Sequence, residues 1–109
     1  MTPRRGEIWW VRLDPAQGSE IRKTRPCVVL TANPLNERRR TVVVIPLTTS
    51  PQASPPILVR VQCGGKPAIA VVDQVRAVSK ERLEARIGLL TADELSTIEE
   101  SLLEVLDLG

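Results

Sequence analysis

The chain contains no histidine, phenylalanine or tyrosine, and only two cysteines, two tryptophans and one methionine among 109 residues. Each shortage removes a class of chemistry. Without histidine there is no Ser-His-Asp triad and no pair of histidines to run a ribonuclease, and without clustered carboxylates a hydrolytic metal has no ligand set. No metal and no other cofactor is expected. A glycine-rich phosphate loop is also missing. Cys27 and Cys63 are too few and too far apart for a disulfide scaffold or a zinc site. Cys27 reads as a small buried hydrophobe, and Cys63, beside Gly64 and Gly65, lies near a turn. Two tryptophans cannot build an extended base-stacking platform. No apolar run approaches the roughly 18 residues that span a bilayer, and Met1–Glu7 lacks the apolar segment of a signal peptide. A cytoplasmic protein with no membrane partner is expected.

Hydrophobic residues make up 42% of the chain, ordinary for a globular protein, and the length suits one domain over residues 1–109. The net charge of +2 conceals an asymmetry. Residues 1–80 carry thirteen Lys/Arg against five Asp/Glu, a balance of +8, whereas residues 81–109 carry two against eight, a balance of −6. A basic body with an acidic tail points to an anionic partner for the body, with nucleic acid the leading candidate. Arg38, Arg39 and Arg40 can equally be a solvated turn.

Apolar strands alternate with turn chemistry along most of the chain. Glu7–Leu13 reads as a strand ended by Asp14-Pro15, and because neighbouring strand residues face opposite ways, Trp9 and Trp10 cannot both enter the core. One of them is left to line a surface, an interface or a groove. A second strand runs from Pro26 to about Thr31, Asn33–Asn36 is a turn, and Glu37–Arg40 is a short helical turn or a hairpin tip. Thr41–Leu47 is continuously apolar and should be buried on both faces, with Pro46 at an edge, a bulge or a strand end. Further strands are expected at Ile57–Val61 and Ala68–Val72, separated by Gly64-Gly65-Lys66-Pro67, with a helical turn at Ser79–Leu83 and a closing strand at Leu89-Leu90. Thr91-Ala-Asp-Glu94 is a capping box opening a helix whose stripe is Leu95, Ile98, Leu102, Val105 and Leu106. Short strands at this spacing leave no room for helical crossovers, so the fold class is mainly β with α, a small antiparallel β-barrel carrying a C-terminal helix.

Two kinds of strand exit carry polar groups. Gly18–Leu30 places Glu20, Arg22, Lys23, Thr24 and Arg25 immediately before an apolar strand, and Pro26 holds Arg25 extended at its mouth. Thr48, Thr49 and Ser50 follow the third strand and Asp73, Gln74 and Arg76 the fifth. A solvated basic loop and hydroxyls that merely cap turns would give the same pattern. These groups still suffice for one reaction. The 2′-hydroxyl of RNA is a tethered nucleophile, so an enzyme need only orient it, accept its proton and stabilise charge on the phosphoryl oxygens. Arg25 suits the last task, Thr48 can donate to the same phosphate, and Glu20 is the most plausible base.

The sequence resembles the MazF/PemK (Kid) toxins of bacterial toxin–antitoxin pairs. The resemblance rests on Arg5–Pro15, Gly18–Pro26, Val44–Thr49, Asp73–Arg76 and Arg86-Ile-Gly88, all in order. It implies an SH3-like, CcdB/MazF-type barrel, homodimeric, that cuts single-stranded RNA within a short sequence, without metal, leaving a 2′,3′-cyclic phosphate and a 5′-hydroxyl. It also implies catalytic roles for Arg25, Thr48 and Glu20. Substrate contacts would come from Arg22, Lys23, Thr24, Thr49, Asp73, Gln74 and Arg76. The chain lacks a loop histidine that one relative uses, which leaves the general base between Glu20 and Asp73. A cognate antitoxin is implied as partner, its C-terminal segment blocking the RNA groove, with Trp9 or Trp10 as contacts. Two readings compete: a CcdB-like gyrase poison, disfavoured because the chain ends Leu106-Asp-Leu-Gly109 without a tryptophan tail, and a non-catalytic RNA-binding module.

Overall fold

The computed structural model describes residues 2–13, 24–49 and 57–109. Seven strands and two α-helices follow in the order β1 (Glu7–Arg12), β2 (Thr24–Val29), α1 (Asn33–Arg38), β3 (Thr41–Thr48), β4 (Leu58–Cys63), β5 (Lys66–Val71), β6 (Arg76–Ser79), β7 (Leu83–Leu89) and α2 (Ala92–Val105). The sheet is antiparallel throughout, ordered β4-β5-β3-β2-β1-β7, with β6 also paired to β3. Strands β6 and β7 lie on opposite flanks of the β3-β2-β1 group, yet only a single 3-10 turn, Lys80–Arg82, separates them in sequence. The sheet must therefore curl, and it does so as the half-barrel with a C-terminal helix that the strand pattern implied.

Alternation along β1 divides the core in two. Ile8 points to one side, with Val28, Ile45, Leu47, Val61, Ala70 and Ile98, under helix α2. Trp9 and Val11 point to the other, inside the curl, with Cys27, Val29, Val42, Val44 and Val78. Burial at this level contributes about 25 cal/mol per Å² of apolar surface removed from water, and both faces of β2 and β3 contribute. Trp9 is 3% exposed while Trp10 is 42% exposed, as the period of two requires.

Several local expectations shift. Helix α1 covers Asn33–Arg38, earlier than the turn expected at Glu37–Arg40, because Pro34 stands in its first turn, where a missing N–H costs nothing. Strand β6 and most of β7 were not anticipated: β7 is largely exposed and carries Glu84 and Arg86, so it has no apolar run to announce it. Pro46 lies inside β3 opposite Cys27, at the point where the partner of β3 changes from β6, paired as far as Val44, to β5, paired from Leu47. A residue without an N–H is tolerated there because the ladder is already interrupted. On α2, Leu95, Ile98, Leu102 and Val105 meet the core, but Leu106 is the C-cap and 47% exposed.

Candidate functional site

The site lies where β2 begins and β3 ends. Cys27 is abreast of Pro46 where the β2–β3 ladder ends, with Arg25 two residues before Cys27 and Thr48 two residues after Pro46. Arg25 and Thr48 line one cavity of about 610 Å³, together with Thr24, Thr49, Lys66 and Trp10. Its floor and far wall are apolar: Pro26, Leu47 and Ala68, then Cys63, Gly64 and Ile87. The wall depends on a two-residue hairpin. Gly64 and Gly65 both have positive φ, at 59° and 83°, between the paired residues Cys63 and Lys66, as a type I′ turn requires. A Cβ on Gly64 would come within 3.2 Å of the Ile87 side chain, so glycine also lets the turn approach β7.

Charge converges on Cys27. Burial pushes its thiol up to about 12, against the opposing pull of the Arg76 and Arg25 guanidinium groups. The thiol donates to the Arg25 carbonyl at 3.7 Å. Arg76 reaches this region from β6, whose ladder pairs it with Val44. On the outer edge, the Glu7 carboxylate accepts from the Arg4 amide at 2.7 Å, the Trp9 indole at 3.1 Å and Arg86 at 2.7 Å. Although burial alone would raise it, these three donors hold the Glu7 carboxyl below its ordinary value. Of the three, Arg86 alone belongs to β7, and its bond ties β7 to β1.

Of the residues singled out in the sequence, Thr24, Arg25, Thr48 and Thr49 come together at the cavity, with Arg76 nearby. Asp73 and Gln74 are exposed on a 3-10 turn after β5 and are not among the lining residues. Glu20, Arg22 and Lys23 lie outside the described residues. Trp10 and Lys66 are cavity residues that sequence reasoning did not place in the site. Alternation along β1 already singled out one of the two tryptophans for a surface, whereas Lys66 carried no signal beyond its glycine turn. No carboxylate lines the cavity among the described residues. Nor do they contain a group of three or more Cys, Asp or Glu that could hold a metal ion. A mouth carrying two cations, Arg25 and Lys66, with hydroxyl donors and an apolar floor, suits a phosphate attached to a planar base.

A family model described as PemK-like, MazF-like toxin of type II toxin–antitoxin system matches residues 4–106. The chain belongs to that family. Endoribonuclease MazF9 of Mycobacterium tuberculosis is 36% identical to it across 96% of this chain and 97% of the relative. Among solved structures, MazF from Deinococcus radiodurans superposes with a TM-score of 0.85 at 22% identity, covering 98% of each chain. An endoribonuclease in complex with its cognate antitoxin, from a mycobacterial species, gives 0.81 at 22% identity over 98% of this chain and 97% of that one. These likenesses confirm the PemK/MazF fold.

Proposed function

We propose that this PemK/MazF-family chain is the endoribonuclease toxin of a toxin–antitoxin pair, cutting single-stranded RNA without a metal ion. The observation that carries the reading is that Arg25 and Thr48 line one cavity. Arg25 forks onto two phosphoryl oxygens and Thr48 donates to the same phosphate. Glu20 or Asp73 takes the proton of the 2′-hydroxyl. The 2′-oxygen forms its bond to phosphorus as the bond from phosphorus to the 5′-oxygen breaks, and that oxygen takes a proton from solvent. The products are a 2′,3′-cyclic phosphate and a 5′-hydroxyl. Thr24, Thr49, Arg76, Arg22, Lys23, Asp73 and Gln74 hold the strand. Trp10, apolar and exposed at the cavity, is the natural contact for an antitoxin segment that blocks it. The toxin acts as a homodimer in the cytoplasm.

The test is a long single-stranded RNA incubated with the protein in excess EDTA and mapped for cut ends. Wild type should give discrete cuts bearing cyclic phosphate. Arg25→Ala and Thr48→Ala should fold normally and still bind RNA while losing about 10²- to 10³-fold in cleavage rate, the usual loss for one oxyanion donor. Intact RNA with wild type, or cleavage abolished by EDTA, would overturn the mechanism.

A further inference from the structure

A second cavity, of about 480 Å³, opens over the outer face of β4 and β5, and nothing in the proposed mechanism uses it. It is lined by Arg60, Gln62, Ile69 and Glu94, and it shares Thr49, Pro67 and Ala68 with the first cavity. The three common residues place the two hollows next to each other. Arg60 and Gln62 alternate onto the same exposed face of β4, beside Ile69 and Pro67, their cross-strand partners on β5. Their backbone is held from behind: the Gln62 amide donates to Glu94 Oε2 at 2.7 Å, while Glu94 Oε1 accepts from the Thr91 amide at 2.9 Å. Both carboxylate oxygens of Glu94 are thus engaged, Oε2 in tying β4 to α2 and Oε1 in capping α2. The Arg60 guanidinium forms no ion pair among the described residues.

We infer that this second cavity is a nucleotide subsite for the strand bound at Arg25 and Thr48, in which Arg60 holds the phosphate flanking the scissile one and Gln62 reads the edge of the adjoining base. The inference rests on the ribonuclease reading of the first cavity. Its chemistry is consistent with that of a nucleotide: one unpaired cation for a phosphate, one side-chain amide with donor and acceptor for a base edge, and the apolar faces of Pro67 and Ile69 beneath.

The test uses the full chain and a cleavable RNA oligonucleotide shortened one nucleotide at a time from each end. Trimming away the nucleotide that fills the subsite should lower kcat/KM for wild type. Arg60→Ala should lose about tenfold on the full oligonucleotide yet cut the trimmed one as wild type does. It should also reduce the slope of log affinity against log salt by about 0.7, one single-strand phosphate contact. Gln62→Ala should relax the base preference at a single position of the cut-site map. Equal losses on full and trimmed substrates, or none on either, would overturn the subsite. A wild type that binds RNA uncut, with the slope still reduced in Arg60→Ala, keeps the subsite and overturns the ribonuclease reading. Neither cutting nor binding overturns both.

Discussion

Cys27 sits where two guanidinium groups and a hydrophobic core compete over its proton. Burial wins: the thiol is pushed up to about 12 despite Arg76 and Arg25, and its side chain is fully buried. The consequence for stability has a definite sign. In the unfolded chain the thiol ionises near its ordinary 9.0, while in the fold it keeps its proton to about 12. The stabilisation is therefore complete below pH 9 and is lost as pH rises towards 12. Wild type should lose roughly 1.4 kcal/mol per pH unit above pH 9 relative to Cys27→Ala, which has no thiol to titrate there. Urea denaturation of both proteins from pH 8 to pH 10.5 measures this, and parallel stability curves would refute it. Cys63, whose thiol is also raised by burial, is common to both and cancels. A neutral Cys27 suits its position, because a thiolate there would neutralise the very cations proposed to hold phosphate.

At the level of elements, α2 shows how a cap can do more than begin a helix. The Thr91 hydroxyl accepts from the Glu94 amide at 3.1 Å, and Glu94 returns the bond to the Thr91 amide while also accepting from Gln62 on β4. Thr91→Ala removes one bond of the box and should cost about 1 kcal/mol. Glu94→Ala removes the return bond and the tie to β4, leaving the Gln62 amide without its partner, and should cost more. Chemical denaturation of the two variants decides between them, and equal losses would show that the tie to β4 contributes nothing. The box was legible in the sequence because Thr-x-x-Glu before an apolar stripe has a local cause. So were β1 to β5, whose β-branched runs are bounded by Asp14-Pro15, Asn33-Pro34 and Gly64-Gly65. Strand β6 and most of β7 were not: Arg76–Ser79 is only four residues long, and Leu83, Ala85, Ile87 and Leu89 alternate with polar neighbours but contain one β-branched residue among them, so both segments are strands chiefly through pairing with β3 and β1. The same holds at the site. The strand exits that deliver Arg25 and Thr48 could be read from Pro26 and from the run ending at Leu47. The wall made by Ile87 against Gly64 required the sheet to curl, which no local pattern records.

Across the whole molecule, charge is distributed so that only part of the basic body can act on a substrate at physiological salt. The site lies at the end of β3, whereas Arg38, Arg39 and Arg40 precede its start. Eight steps of about 3.3 Å along an extended strand separate Arg40 from Thr48 by roughly 26 Å, a large fraction of a molecule measuring 37 × 30 × 30 Å. The screening length is about 8 Å at 0.15 M salt and about 30 Å at 0.01 M. These arginines are therefore more than three screening lengths from the scissile phosphate under physiological conditions and within one at low salt. All three are exposed, so replacing them with glutamine should leave the fold intact. The triple variant should cut a short oligonucleotide confined to the groove within about twofold of wild type at 0.15 M salt, and fall behind measurably only at 0.01 M. Cleavage rates at the two salt concentrations supply the check. A large loss at 0.15 M would mean that the RNA path runs along β3 to its start, and that the electrostatic footprint is the whole basic face rather than the groove at one end of it.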